Sequence, residues 1–203
     1  MFEVRKMSDT TDVTAATEPS TDAPKAKRKR RRIVVGGIGL PWLRDLDYGT
    51  QFIRRIEGEE WPKGVYVEDM SFAGHRVLDR LKEIRPHKVI LVGAMPRDID
   101  PAGTIRRYKL DTDLPDEPPA ELQERLAEAA SGIIDLDHTL AIVRWGKGFP
   151  ADTVVIEVEP GDRSFGLGFS DEVEATVDEV LALIREEVAT GRAQPAEAEE
   201  VAS

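Results

Sequence analysis

Two aspartates, Asp45 and Asp47, sit near the end of the stretch "GGIGLPWLRDLDYG" (residues 36–49), shortly after a run of glycines. A third, Asp69, lies in "VEDMSFAG", and His138 lies in "DLDHTL". Carboxylates and a histidine that converge on one edge of a sheet offer a divalent metal the oxygen and nitrogen donors it takes. Each residue also has a plainer use. An aspartate at a helix start is an N-cap worth about 1 kcal/mol, and a histidine opening a helix can bond the neighbouring turn. The glycines point to a different chemistry, a phosphate cradle, which the sequence does not complete. Gly37 and Gly39 fill the first two places of a dinucleotide fingerprint, but Trp42 stands at the third with Pro41 beside it. The Gly-Lys-Ser/Thr of a P-loop is missing as well. A nucleotide-binding α/β protein is therefore disfavoured, and the loop is read as a carrier of carboxylates.

Such side chains need elements to hold them, and the sequence alternates in a way that supplies these. "RIVVGG" (32–37), "GVYVED" (64–69), "KVILVGA" (88–94), "TIRRYKL" (104–110) and "TVVIEVEP" (153–160) are short runs rich in β-branched residues. Several are nearly continuous in apolar residues, as strands covered on both faces are. Between them, Tyr48, Phe52, Ile53 and Ile56 recur at helical spacing over 47–57, as do Phe72, Val77, Leu78, Leu81 and Ile84 over 72–84. Further helices are expected near 119–130, 138–147 and 171–189, the last with Ser170 as N-cap and Gly191 as its stop. Strand and helix in alternation predict an α/β fold, a three-layer αβα sandwich with a mainly parallel twisted sheet of about five strands. In such a sheet the ligand site lies beyond the carboxyl ends of the strands. Asp45, Asp47 and Asp69 all follow or end a predicted strand, while His138 begins a helix after a long connection.

The chain as a whole narrows the function further. It has 203 residues, 40% of them hydrophobic and 33% charged, enough for one domain with a buried core. The net charge of −11 argues against broad nucleic-acid binding by the folded body. There is no cysteine, which removes disulfides, thiolate metal sites and cysteine nucleophiles. No apolar run reaches the roughly 20 residues of a membrane span. The N-terminus carries no apolar signal core, so a cytoplasmic protein is expected. Residues 1–31 read as a disordered arm, in which Met7 could be the true start, and 191–203 as a disordered tail. The folded domain is expected over 32–190. Seven of the eight residues from Lys25 to Arg32 are basic, and next to so acidic a body they read as a solvated run. Ser71 and Ser131 lack the setting of a serine nucleophile, and His75 and His87 read as surface or helix-end residues.

The order of these segments resembles that of the nickel–iron hydrogenase maturation endopeptidases, over roughly residues 32–189. The family begins with a strand and a pattern like G-x-G-N-x-L-x-x-D-[DE]-x-x-G, matched here from Gly37 through Asp45 to Gly49. Its strand-ending aspartate is similar to Asp69. A strand leading into a Pro-Gly-Thr-like turn and a further strand resembles "KVILVGAMPRDIDPAGTIRRYKL" (88–110). Its helix-opening histidine falls on His138, and its I-x-P followed by G-L-G-[LF]-S-x-x-V resembles "IEVEPGDRSFGLGFSDEV" (156–173). The resemblance implies an endopeptidase that removes the C-terminal peptide of a hydrogenase large-subunit precursor. Nickel then arrives with that precursor, and carboxylates and a histidine of the peptidase complete its coordination. Asp69 and His138 are the metal-facing pair that the resemblance implies.

The first motif departs from the pattern. The residue after its aspartate, acidic in the family and a nickel ligand there, is Leu46 here, and the asparagine is Leu40. Leucine has no donor for a metal, so Asp45 or Asp47 would have to fill the gap. The expected partner is a nickel–iron hydrogenase large-subunit precursor, with no membrane and no nucleic acid. The rival reading, favoured by Leu46, is a non-catalytic paralogue that binds the precursor as a checkpoint or chaperone.

Overall fold

A computed structural model describes residues 31–113, 118–132 and 135–193. The expected N-terminal arm, Arg31 apart, and the tail beyond residue 193 lie outside the described residues. Five strands form one sheet: β1 (Ile33–Ile38), β2 (Val65–Asp69), β3 (Lys88–Ala94), β4 (Ile105–Lys109) and β5 (Asp152–Val158), in the order β2-β1-β3-β5-β4. All neighbours run parallel except β4, which pairs antiparallel with β5 along the outer edge. Every residue of β1 and β3 is buried, because helices cover both faces.

The period-2 alternation of the strands decides which helix each side chain meets. Ile33, Val35, Ile90, Val92, Val154 and Ile156 face α1 (Tyr48–Ile56), α5 (Asp171–Glu174) and α6 (Val177–Ala193). Val34, Val89, Leu91 and Val155 face α2 (Gly74–Ile84) and α4 (Leu136–Trp145). Helix α3 (Pro119–Ala130) lies outside α4, with Leu122 and Ala129 packed against Ile142. The three-layer sandwich is the one read from the alternating pattern.

The glycines of the first motif serve packing. A Cβ on Gly37 would lie 2.3 Å from the Gly49 carbonyl oxygen, and one on Gly49 would lie 2.2 Å from the Ile38 nitrogen. Strand β1 and helix α1 therefore touch backbone to backbone, which only glycine permits at both positions. The helix expected over 171–189 is broken into α5 and α6 and runs on through Gly191. Gly191 does not stop the helix. A Cβ there would come within 2.5 Å of Lys88 Cδ, so this glycine gives room to the stem of Lys88, whose buried ammonium bonds Asp152 at 3.0 Å and Glu187 at 2.7 Å.

Candidate functional site

The chain leaves β1 for β2 on one side and returns to β3 on the other, so the strand order reverses between β1 and β3. Beyond the carboxyl ends of these two strands the covering helices diverge and leave a crevice. Here lies a cavity of about 90 Å³, lined by Ile38, Gly39, Leu40, Leu46, Ala94, Met95, Pro96, Leu136 and Asp135. Leu40 and Leu46, the two departures from the motif, both form its wall. The loop between them folds back on itself, with Leu40 N donating to Leu46 O at 2.9 Å and Leu46 N to Leu43 O at 2.9 Å. Residues Arg44–Asp47 form a 3-10 turn that leads into α1.

Asp45 is neither a helix cap nor a free ligand. It is completely buried. Its Oδ2 accepts from Gly161 N at 2.9 Å, Asp162 N at 2.7 Å and the Ser170 hydroxyl at 2.7 Å, and its Oδ1 accepts from Ser170 N at 2.7 Å. Both oxygens are committed, which leaves the carboxylate to fasten the loop 160–170 onto the first motif. The same two segments meet again as a short parallel bridge between Leu43 and Gly166. Ser170, expected as an N-cap, stands at that position before α5, but its hydroxyl goes to Asp45 and not to the helix.

Asp47 has a different setting. It is 2% exposed, and its Oδ1 has no hydrogen-bond partner among the described residues. Burial pushes its pKa above the ordinary carboxylate value, against the pull of a Thr50 hydrogen bond and the Arg54 charge; the nearby charge of Asp69 adds to the rise. Asp69 itself ends β2, is exposed, and accepts from Ser71 N at 2.9 Å. Ser71 ties Asp69 to the first motif, for its hydroxyl meets Thr50 Oγ1 at 2.6 Å and accepts from Gly39 N at 3.0 Å. Ser71 is thus a positioning group for the loop rather than a nucleophile.

His138 is tied down on the far side of the cavity. It stands in the first turn of α4, where Asp135 caps the helix by accepting from His138 N at 2.8 Å. The ring is clamped, Nδ1 to Asp135 Oδ1 at 2.8 Å and Nε2 to Glu128 Oε2 on α3 at 2.7 Å. Two carboxylate oxygens can both be satisfied only if both ring nitrogens carry hydrogen, which is the imidazolium form. Burial opposes that charge, yet the bonds to Glu128 and Asp135 outweigh it and raise the pKa above the usual histidine value. The structure therefore brings Asp47 and Asp69 to one corner and gives His138 to Glu128 and Asp135. No set of three or more His, Asp or Glu side chains among the described residues is disposed to hold a metal ion.

Two groups at this edge escaped the sequence reading. Glu157 and Glu159 are almost wholly buried. Glu157 bonds Arg97 and Tyr108, while Glu159 accepts from Arg97 N and Asp98 N at 3.0 Å each and from Arg106. They pin the loop after β3. Their place in "VIEVEP", alternating with apolar residues at a strand end, was the available signal.

The arrangement has counterparts among solved structures. Hydrogenase 2 maturation peptidase from Thaumarchaeota archaeon SCGC_AB-539-E09 aligns over 78% of this chain and 99% of its own, with a TM-score of 0.56 at 20% identity. An endopeptidase from Escherichia coli aligns over 78% of this chain and 93% of its own, with a TM-score of 0.61 at 22% identity. The hydrogenase maturating endopeptidase HybD from E. coli aligns over 76% and 93%, with a TM-score of 0.55 at 23% identity. The chain has the fold of the hydrogenase maturation peptidases. No sequence-family model matches the chain and no curated protein matches it in sequence. The resemblance carried by the five ordered motifs and the three-dimensional likeness agree on this fold.

Proposed function

We propose that this protein serves hydrogenase maturation by binding the C-terminal region of a nickel–iron hydrogenase large-subunit precursor in the cytoplasm. Its fold and the order of its motifs support that client. One observation favours binding over cutting: Leu46, at the acidic ligand position of the motif, forms the wall of an apolar cavity together with Leu40. The ring of His138 agrees with it, since its two nitrogens are already bonded to Asp135 and Glu128. Nickel, on this reading, belongs to the precursor, and the protein inspects the region that holds it.

The endopeptidase reading keeps one observation of its own. Asp47 holds a buried oxygen with no partner among the described residues, in the same corner as Asp69, a pair of carboxylates that an arriving nickel ion could draw on. A metal so held would polarise a scissile carbonyl or a water. Incubation with nickel-loaded and nickel-free precursor separates the two, with the precursor's mass and the dissociation constant as readouts. Tight binding with an unchanged precursor mass is the expected result. Loss of a C-terminal peptide only in the nickel-loaded sample would establish the endopeptidase, and no binding to either form would remove the precursor as client.

A further inference from the structure

A second groove opens at the opposite end of the sheet, among the residues that precede β3 and β5. It has a volume of about 470 Å³ and lies between the end of α2, with Lys82, Arg85 and Pro86, and the turn after α4, with Lys147, Phe149 and Pro150. Lys82, Arg85 and Lys147 are exposed. None of the three forms an ion pair with a described residue, and no carboxylate lines the groove. Glu83, next to Lys82 in sequence, is taken by Arg80 at 2.6 Å. A helix dipole favours a cation at its carboxyl end, which accounts for any one of these residues taken singly. It does not account for three unpaired cations around one groove in a chain of net charge −11. Arg85 and Lys147 also stand at φ of 51° each, a left-handed position at a helix end that glycine takes without strain. Long cationic side chains are kept at both places instead.

We propose that this groove holds the acidic segment of the chain that follows α6, residues 194–203, "QPAEAEEVAS". The place where α6 ends supports that occupant. The Gly191 carbonyl, in its last turn, lies 3.2 Å from His87 Nε2, and His87 directly follows Pro86 of the groove. Arg85 stands two residues before His87, and Lys82 about one helical turn before Arg85. Residues 194–203 span about 33 Å when extended, which covers that distance. Charge selects the same segment, for Glu197, Glu199 and Glu200 offer three carboxylates to three cations. Alternate residues of an extended chain share a face, so Pro195, Glu197 and Glu199 fall together. Pro195 then meets Phe149 and Pro150 while the glutamates meet the cations. The competing partner is the basic run Lys25–Arg32, because Arg31 donates to the same Gly191 carbonyl. The groove has its cations on two helix ends that the fold already holds, so pairing there requires less ordering. The docking stands apart from the maturation reading, since the groove lies at the amino ends of the strands and the candidate site at their carboxyl ends.

Carbodiimide coupling of the full chain tests the placement, since it joins a lysine amine to a carboxylate only where the two are in contact. Peptide mapping by mass spectrometry should recover Lys82 or Lys147 joined to Glu197, Glu199 or Glu200. The yield should fall roughly fivefold in about 1 M salt, where the screening length is about 3 Å. Lys82→Glu with Lys147→Glu should abolish these products, as should Glu197→Lys with Glu199→Lys. All four substitutions together should restore products at the same positions with acid and amine exchanged, which a change of stability alone does not do. Products that join Glu197, Glu199 or Glu200 to Lys25, Lys27 or Lys29, and not to the groove lysines, overturn the inference and assign the segment to the basic run. Products that join light to heavy copies, in an equal mixture of unlabelled and ¹⁵N-labelled protein, overturn it in favour of a second copy. No product at Lys82 and Lys147, or no restoration by the fourfold exchange, also overturns it.

Discussion

Replacing Asp45 should loosen the candidate site without touching the cavity wall. The carboxylate accepts four hydrogen bonds, three from backbone N–H groups and one from the Ser170 hydroxyl. Hydrogen bonds to a charged group contribute about 1.5–3 kcal/mol each, so four would give roughly 6–12 kcal/mol if they were independent. They share one partner and one loop, and such neighbours do not add. Much of the loop from Gly161 to Leu167 is exposed, so water can reach the freed N–H groups of Gly161 and Asp162. A net loss of about 3–4 kcal/mol for Asp45→Ala is the expected result, a large part of the roughly 5–15 kcal/mol that holds a domain together. Asp45→Asn keeps the volume and one acceptor oxygen but turns an NH₂ toward a backbone donor, and should cost about 2 kcal/mol. Urea unfolding gives both numbers from the shift of the midpoint at constant slope. Amide exchange should show Gly161, Asp162 and Ser170 opening ahead of the β1 and β3 amides. A loss below about 1 kcal/mol for Asp45→Ala, or unaltered exchange at those three amides, would refute the clamp and return Asp45 to the role of an ordinary cap.

Further outcomes follow from the same geometry. Gly49→Ala should leave little folded protein by near-ultraviolet circular dichroism, because the new methyl would meet the Ile38 backbone and neither element can retreat. The raised pKa of His138 makes its stabilisation complete below the unfolded value near 6.5 and lost as pH rises through the folded value; the melting temperature of wild type relative to His138→Gln should therefore fall from pH 6 to pH 9. Asp47 has the opposite linkage, since a carboxyl with a raised pKa destabilises the fold above pH 3.8. Asp47→Asn should accordingly raise the melting temperature at pH 7 and lose that advantage as the pH is lowered toward 3.8. Leu46→Glu should weaken nickel-independent precursor binding in a calorimetric titration, and a gain of cleavage in this variant would mark the lost acid as the one missing ligand.

What the sequence revealed and what it concealed divide along the range of the interactions. The strands were legible because helices cover both faces, and a run such as "KVILVGA" then has no need of a polar side. Tyr48, Phe52, Ile53 and Ile56 were legible because a helix packed on a sheet repeats its apolar face every three to four residues. Leu46 needed only the chemistry of its side chain. The role of Asp45 was hidden because its partners lie 116–125 residues away in sequence, and no local pattern separates a buried carboxylate clamp from a cap. His138 was half legible. The capping residue Asp135 stands three positions before it, a spacing that a helix start explains, whereas Glu128 reaches it across a connection from another helix.

The two buried aspartates of the first motif give the strongest physical reason to treat this edge as a site. Asp45 has every acceptor filled, so its burial is accounted for by the loop it holds. Asp47 is almost as deeply buried, yet one oxygen is unpartnered among the described residues and its charge is disfavoured where it stands. A group that destabilises the fold and could be replaced by asparagine with a gain is explained by something it does in a complex, where a donor or cation from the partner reaches that oxygen. The precursor would then bring a positive group toward Asp47 and Asp69. Asp47→Asn tests this: it should weaken precursor binding in a calorimetric titration while the melting temperature at pH 7 rises. Precursor binding that Asp47→Asn leaves unchanged would mean that Asp47 serves the loop that carries Leu46, and not the partner.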